Sequence, residues 1–203
     1  MFKRVFQKLL RKINRIPAGA FIVAELNDKI KPIDRGDVYE YPIDKFLKEN
    51  KYGELCGGGT LLEKNGEISS CDIQMQLFTN NPDEELLDII IKKLEELGAP
   101  AGSRLVLEKN NQKINFGKFQ GLALYLDGLN LPDEVYQTAD PFFLVSEIGR
   151  LANIQTNIIR EWTGESETGF YFYGDSYQRI KDSIEDFINT YPLCKGARIV
   201  RIA

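Results

Sequence analysis

The chain has no histidine among its 203 residues. That excludes Ser-His-Asp and Cys-His catalysis and removes the commonest transition-metal ligand. Cysteine is also scarce. Cys56, Cys71 and Cys194 are too few and too scattered for a disulfide framework or a zinc site, so reduced thiols and a cytoplasmic setting are expected. No apolar run approaches the roughly 20 residues of a membrane span. The first residues lack a continuous apolar core and a small-residue cleavage site, so no secretory signal is expected. What chemistry remains would fall to carboxylates, lysine, tyrosine or cysteine, and no cofactor is expected.

Acids outnumber bases, giving a net charge of -4, but the excess is unevenly spread. Residues 1 to 20 carry Lys3, Arg4, Lys8, Arg11, Lys12 and Arg15 and no acid, so the rest of the chain is at -10. An acidic body repels phosphate backbone and attracts a basic protein. With 43% hydrophobic residues, the composition is that of a folded globular protein.

Residues 1 to 16 read as a basic amphipathic helix. Phe2, Val5, Phe6, Leu9, Leu10 and Ile13 recur at helical spacing, and Pro17 ends the pattern. Such a helix docks on the body, contacts a membrane surface or meets a partner. The spacing then predicts a strand over Phe21 to Leu26, a polar loop over Asn27 to Tyr41, and a short helix over Ile43 to Leu47. Gly57-Gly-Gly-Thr60 precedes a hairpin centred on Asn65-Gly66, the returning strand carrying Ile73, Met75 and Leu77. Asn81-Pro-Asp-Glu84 opens a helix with Leu86, Leu87, Ile90 and Leu94 on its buried stripe. Ser103 to Leu107 is a final strand. Strand, helix, hairpin, helix, strand is the ferredoxin-like βαββαβ order.

Glu108 to Phe119 reads as a connector or protruding hairpin, after which the order repeats. Leu122 to Leu126 is a strand, Leu131 to Leu151 helical, Ile158 to Trp162 and Gly169 to Tyr173 a hairpin, Tyr177 to Tyr191 a helix, and Arg198 to Ile202 a strand. An offset of 94 places Ile90 on Ile184 and Leu105-Val106 on Ile199-Val200. The fold expected is therefore α+β: two tandem ferredoxin-like halves, 18–108 and 120–203, related by a pseudo-twofold axis, with residues 1–17 as a separate basic helix. In the second half this register turns Leu124, Leu126 and Tyr171 towards the helices and Tyr125, Phe170 and Phe172 to the open face. An apolar face of that kind is covered by the other half, the N-terminal helix or a partner.

Leu124-Tyr-Leu-Asp-Gly-Leu129 is similar to the first-strand signature of RNA recognition motif domains, and Thr168-Gly-Phe-Tyr-Phe-Tyr-Gly-Asp175 partly resembles their third-strand signature. The resemblance implies base stacking on Tyr125, Phe170 and Phe172. Thr168, Tyr171 and Asp175 depart from the pattern. Residues 121 to 203 hold seven Lys/Arg against twelve Asp/Glu, a charge opposed to phosphate binding. Asp34, Asp37 and Glu40 form a carboxylate cluster that could serve acid–base work or a cation, or could simply be turn chemistry. In size, acidity and lack of catalytic residues the chain resembles bacterial immunity proteins, which neutralise a cognate toxin. That implies a basic protein partner, anchored at Tyr125, Phe170, Phe172 or Trp162. The expectation is thus a non-enzymatic protein-binding module, with single-stranded nucleic-acid binding and a carboxylate-dependent enzyme as alternatives.

Overall fold

Two antiparallel sheets with helices form the α+β architecture of the computed structural model, which describes residues 19–156 and 159–203. The expected N-terminal helix, residues 1–16, lies outside the described residues. The first sheet contains β1 (Phe21–Leu26), β2 (Gly53–Leu62), β3 (Ile68–Leu77), β4 (Ser103–Leu107) and β5 (Gln112–Phe116), in the order β2-β3-β1-β4-β5. The second contains β6 (Gln120–Asp127), β7 (Arg160–Thr163), β8 (Glu167–Gly174) and β9 (Arg198–Arg201), in the order β7-β8-β6-β9. Without β5 the two orders are the same: second, third, first, fourth. The stretch read as a connector or protruding hairpin supplies β5, which forms a hairpin with β4 from Ser103↔Phe116 to Leu107↔Gln112.

Asn27 to Tyr41 is not a polar loop throughout. Helix α1 (Pro32–Arg35) runs through a π-helical segment (Gly36–Glu40) into α2 (Tyr41–Glu49). Pro32 starts it, where a missing N–H costs nothing, and Tyr39, with no exposed surface, holds it to the body. Helix α3 (Glu84–Glu96) begins at Asp83, whose carboxylate accepts from the Leu86 N–H at 2.9 Å. The helical region of the second half is broken at Pro141 into α4 (Asp133–Thr138) and α5 (Pro141–Ala152); α6 (Tyr177–Thr190) follows the second hairpin.

Each sheet has a core on its helical side. Ile22, Ala24 and Leu26 alternate inward from β1 and meet Ile43 and Leu47 of α2 and Leu87, Ile90 and Leu94 of α3. In the second half Leu122, Leu124 and Leu126 meet Leu144 and Ile148 of α5 and Ile180 and Ile184 of α6. The expected inward direction of Leu124 and Leu126 therefore agrees with the structure.

The expected direction of β8 does not. Phe170 lies opposite Leu124 and Phe172 opposite Leu122. Directly opposed residues share a face, so both phenylalanines point at the helices, 5% and 3% exposed. Tyr171 and Tyr173 point the other way, beside Tyr125 and Ala123. A one-residue slip exchanges the faces of a strand completely, and the register taken from the helices was displaced by an odd number of residues from that of the strands.

Candidate protein-binding surface

The tyrosine face of the second sheet is covered by the first half through a polar seam. Tyr125 and Tyr171, 7% and 4% exposed, both donate to Glu67 Oε1, at 2.7 and 2.9 Å. The Lys29 ammonium reaches the same oxygen at 2.8 Å and stands 5.2 Å from the centroid of the Tyr171 ring. Burial works to raise the Glu67 pKa, but the bonds from Lys29, Tyr125 and Tyr171 outweigh it and hold the carboxyl below its ordinary value. The two tyrosine hydroxyls are pushed up, by burial first and then by Glu67, and so remain donors. Base stacking on Tyr125, Phe170 and Phe172 has no open surface in this fold.

A second knot lies beside it. Asp28, with no exposed surface, receives two bonds from the Arg160 guanidinium, at 2.7 and 3.0 Å, and one from the Tyr39 hydroxyl at 2.8 Å. Burial opposes the charge on Arg160, but the Asp28 carboxylate more than offsets it, and the guanidinium pKa is raised. The Lys29 N–H donates to the Tyr173 hydroxyl at 3.1 Å. These contacts tie Asp28, Lys29 and Glu67 of the first half to β6, β7 and β8 of the second. Composition signalled none of this. Each partner is an ordinary polar residue until the fold brings them together.

Trp162 is half-buried on β7, packed against the tyrosine cluster. Its indole nitrogen lies 4.0 Å from where a side chain on Gly66 would begin. It therefore marks the seam.

Of Asp34, Asp37 and Glu40, it is Glu40 that has a structural setting. Glu40 pairs with Arg35 at 2.6 Å, and Arg35 also donates to Thr60 Oγ1 at 2.8 Å and to the Gly59 carbonyl. Asp44 accepts from the Leu55 N–H at 2.9 Å. Together these side chains dress the outer edge of β2, where unpaired backbone groups would otherwise invite another strand. Gly58 makes room for this: an added Cβ would stand 2.8 Å from the Asp72 carbonyl and 3.0 Å from Glu40 Oε1. Asp37 is exposed. Among the described residues no group of three acids, cysteines or histidines could hold a metal ion.

A cluster of aromatics that solvent does reach lies elsewhere, where α5 and α6 run side by side. Phe142 and Phe143, at the start of α5, are 67% and 50% exposed. Phe143 lies 6.2 Å from Phe187 and 5.7 Å from Tyr191, centroid to centroid, and Phe187 stacks on Tyr191 at 5.1 Å. The Tyr191 hydroxyl donates to the Asp140 carbonyl at 2.8 Å and accepts from the Asp140 N–H at 3.0 Å, locking the helix ends together. Asp140 caps α5 by accepting from the Phe142 N–H at 2.8 Å. A groove of about 480 Å³ continues from Tyr191 along Ile188, Pro132, Val135 and Lys195. The signal that could have found this patch is the pair Phe142-Phe143 directly after Asp-Pro. At most one residue of such a pair can face a helix core squarely. Between the halves a further cleft of about 610 Å³ is lined by Phe119, Asn153, Arg160, Tyr173, Ser176 and Arg179. Its deepest charge, Arg160, is already neutralised by Asp28.

No family model matches the chain, and no curated protein matches it. Among solved structures it is similar to an unknown protein from Galdieria sulphuraria, with 10% identity, 90% of this chain and 96% of the other covered, and a TM-score of 0.26. It is also similar to the first two RRM domains of yeast poly(U)-binding protein, with 11% identity, 90% and 99% covered, and a TM-score of 0.23. A Lactobacillus acidophilus protein with a provisional monooxygenase name gives 12% identity, 91% and 94% covered, and a TM-score of 0.27. At these scores the similarities carry no argument about function. No helix among the described residues is long and apolar enough to cross a membrane.

Proposed function

We propose that this chain is a non-enzymatic protein-binding module that takes a basic protein partner, and that it is built from two copies of one ferredoxin-like βαββαβ unit about a pseudo-twofold axis. The shared strand order of the two sheets supports the second part. The observation that carries the first is the Phe142–Phe143–Phe187–Tyr191 patch: aromatic, partly open, and set in a half of net charge -5. Aromatic anchors inside a polar rim are where binding energy concentrates, and the acidic surroundings steer a basic partner. Asp140 and Asp186 adjoin the aromatics in sequence, and Asp133 and Glu134 open α4 beside the groove. This is the surface an immunity or inhibitor protein would present to a basic toxin. Tyr125, Phe170, Phe172 and Trp162 do not belong to it.

The test is affinity purification from the native cell with the wild-type chain and with Phe142→Ser and Phe143→Ser, each checked for an unchanged circular dichroism spectrum. The reading expects a basic protein that binds the wild type, is lost from both variants, and binds more weakly as salt rises. A partner that is acidic, or that both variants retain, overturns it.

A further inference from the structure

Several rings of this chain lie under its own cations. Arg198 stands 3.9 Å from the centroid of the Tyr125 ring, Lys29 5.2 Å from Tyr171 and Arg160 5.2 Å from Tyr173. Lys93 stands 5.8 Å from Phe46, and Arg201 5.8 Å from Tyr177. A cation within about 6 Å of a ring centroid is drawn to the negative face of the π system. Among the described residues no such cation serves Phe143, Phe187 or Tyr191, the rings that meet where α5 and α6 run together. The cation that follows Phe143 along α5 is held elsewhere. Arg150, about two turns on, donates to both oxygens of Glu147, at 2.8 and 2.5 Å.

These three rings form one surface with an acidic rim. Phe187 and Tyr191 are tilted only 29° from parallel, and Phe143, half exposed, closes on both. The Asp140 N–H and carbonyl both bond the Tyr191 hydroxyl, which sets Asp140 at the edge of the rings. Asp140 Oδ1 caps α5 through the Phe142 N–H, which leaves Oδ2 to face a partner. Asp186 precedes Phe187 and is exposed. The chain already shows what rings and carboxylates do together. Arg198, stacked on Tyr125, donates to Glu167 at 2.7 and 3.0 Å. Arg160, over Tyr173, donates to Asp28 at 2.7 and 3.0 Å. A guanidinium is flat, so it lies on a ring while its edge N–H groups reach a carboxylate. Lys29 serves Tyr171 and Glu67 in the same way, but at the enclosed seam. On an open surface an ammonium keeps its water, and the more weakly hydrated guanidinium stacks better.

We propose that this surface is an arginine site. Guanidinium groups of the basic partner lie over Phe143, Phe187 and Tyr191 and donate to Asp140 and Asp186, and a lysine-rich protein of equal charge binds less well. The inference rests on the protein-binding reading above and adds to it the side chain the partner must carry.

The test titrates the full chain with two capped peptides, hexa-arginine and hexa-lysine, at one ionic strength. Calorimetry gives the affinities, and nuclear magnetic resonance follows the ring protons. Each stacked arginine should tighten binding about two- to fivefold over lysine. The ring protons of Phe143, Phe187 and Tyr191 should shift with hexa-arginine. Phe143→Leu, verified as folded, keeps an apolar side chain but removes a ring face, and should cut the arginine preference at least about twofold. Asp186→Asn, at an exposed position where folding is not at stake, should weaken hexa-arginine binding about two- to fivefold. Equal affinities of the two peptides for the wild type overturn the inference. So do an arginine preference that Phe143→Leu retains in full, ring protons that do not shift, and hexa-arginine binding unchanged in Asp186→Asn. Capture of a basic protein through Phe142 and Phe143 together with equal peptide affinities leaves the protein-binding reading standing and overturns this one. An arginine preference that Phe143→Leu removes, with no protein captured, does the reverse.

Discussion

Replacing Glu67 by alanine removes the acceptor shared by Lys29, Tyr125 and Tyr171, and leaves three donors facing each other across the seam between the halves. The pair it breaks is well enclosed, with side-chain exposures of 13% for Lys29 and 10% for Glu67. Breaking a buried ion pair from one side costs about 3–5 kcal/mol. An unsatisfied buried donor costs about 1–3 kcal/mol, so the stranded tyrosine hydroxyls argue for the upper part of that range. For a chain of this length each kcal/mol moves Tm by about 2–4 °C, which gives a fall of roughly 6–20 °C. Glu67→Gln keeps an acceptor oxygen of the same shape and should lose about 1–3 kcal/mol. Urea unfolding should be followed by far-ultraviolet circular dichroism and by fluorescence of Trp162, which sits at the seam and reports its opening. A loss below about 1 kcal/mol for Glu67→Ala refutes the reasoning. So does strict additivity of Glu67→Ala with Tyr171→Phe in a double-mutant cycle, since groups that bond each other must couple. The same carboxyl predicts a pH dependence. Its folded pKa is depressed below the unfolded value of about 4.3. Its contribution is therefore fully present above that value and is lost as pH falls through the lower, folded pKa. The wild type should lose stability in that acid window more steeply than Glu67→Gln does.

Phe172→Ala should cost about 3–5 kcal/mol in urea unfolding, because it empties a packed aromatic site beneath α5 and α6; a near-neutral result would return Phe172 to the open face. Phe142→Ser should leave stability within about 0.5 kcal/mol while weakening partner binding by about 2 kcal/mol, roughly thirty-fold by titration calorimetry; unchanged affinity would remove it from the contact. A maleimide should label Cys56 in the native protein, since it alone of the three thiols is exposed. Burial pushes Cys71 and Cys194 up to about 12, so mass spectrometry should find them modified only after denaturation.

Much of the fold is written in local patterns. The stripes Leu87–Ile90–Leu94 and Ile180–Ile184 need only helical periodicity, and the Asn65-Gly66 turn only the freedom of Gly66, whose φ is +82°. β1 alternates strictly, so Ile22, Ala24 and Leu26 declare their side. β8 declares nothing. Glu167–Gly174 is buried on both faces, one against helices and one against the first half, and a strand buried on both sides has no alternation to read. Its direction had to be borrowed from the helix that follows it, and the loan fails. Matching Ala24 to Leu124, the strand pairings relate Ile73 to Phe170, an offset of 97, whereas the helices Ile90 and Ile184 are offset by 94. The connection after the third strand differs between the halves by an odd number of residues, and an odd difference inverts every side chain.

The seam and the aromatic patch depended on tertiary structure for the same reason. Glu67, Lys29, Tyr125 and Tyr171 become one network only when residues up to 104 positions apart are brought within hydrogen-bonding distance. Hydrogen bonds of that range leave no trace in spacing. Periodicity reports what a segment does with its own neighbours, so it determined the long helix after each hairpin and the order of the strands, and missed Pro32–Glu40. Which faces meet is decided by how two finished sheets pack, and with it which aromatics remain for a partner.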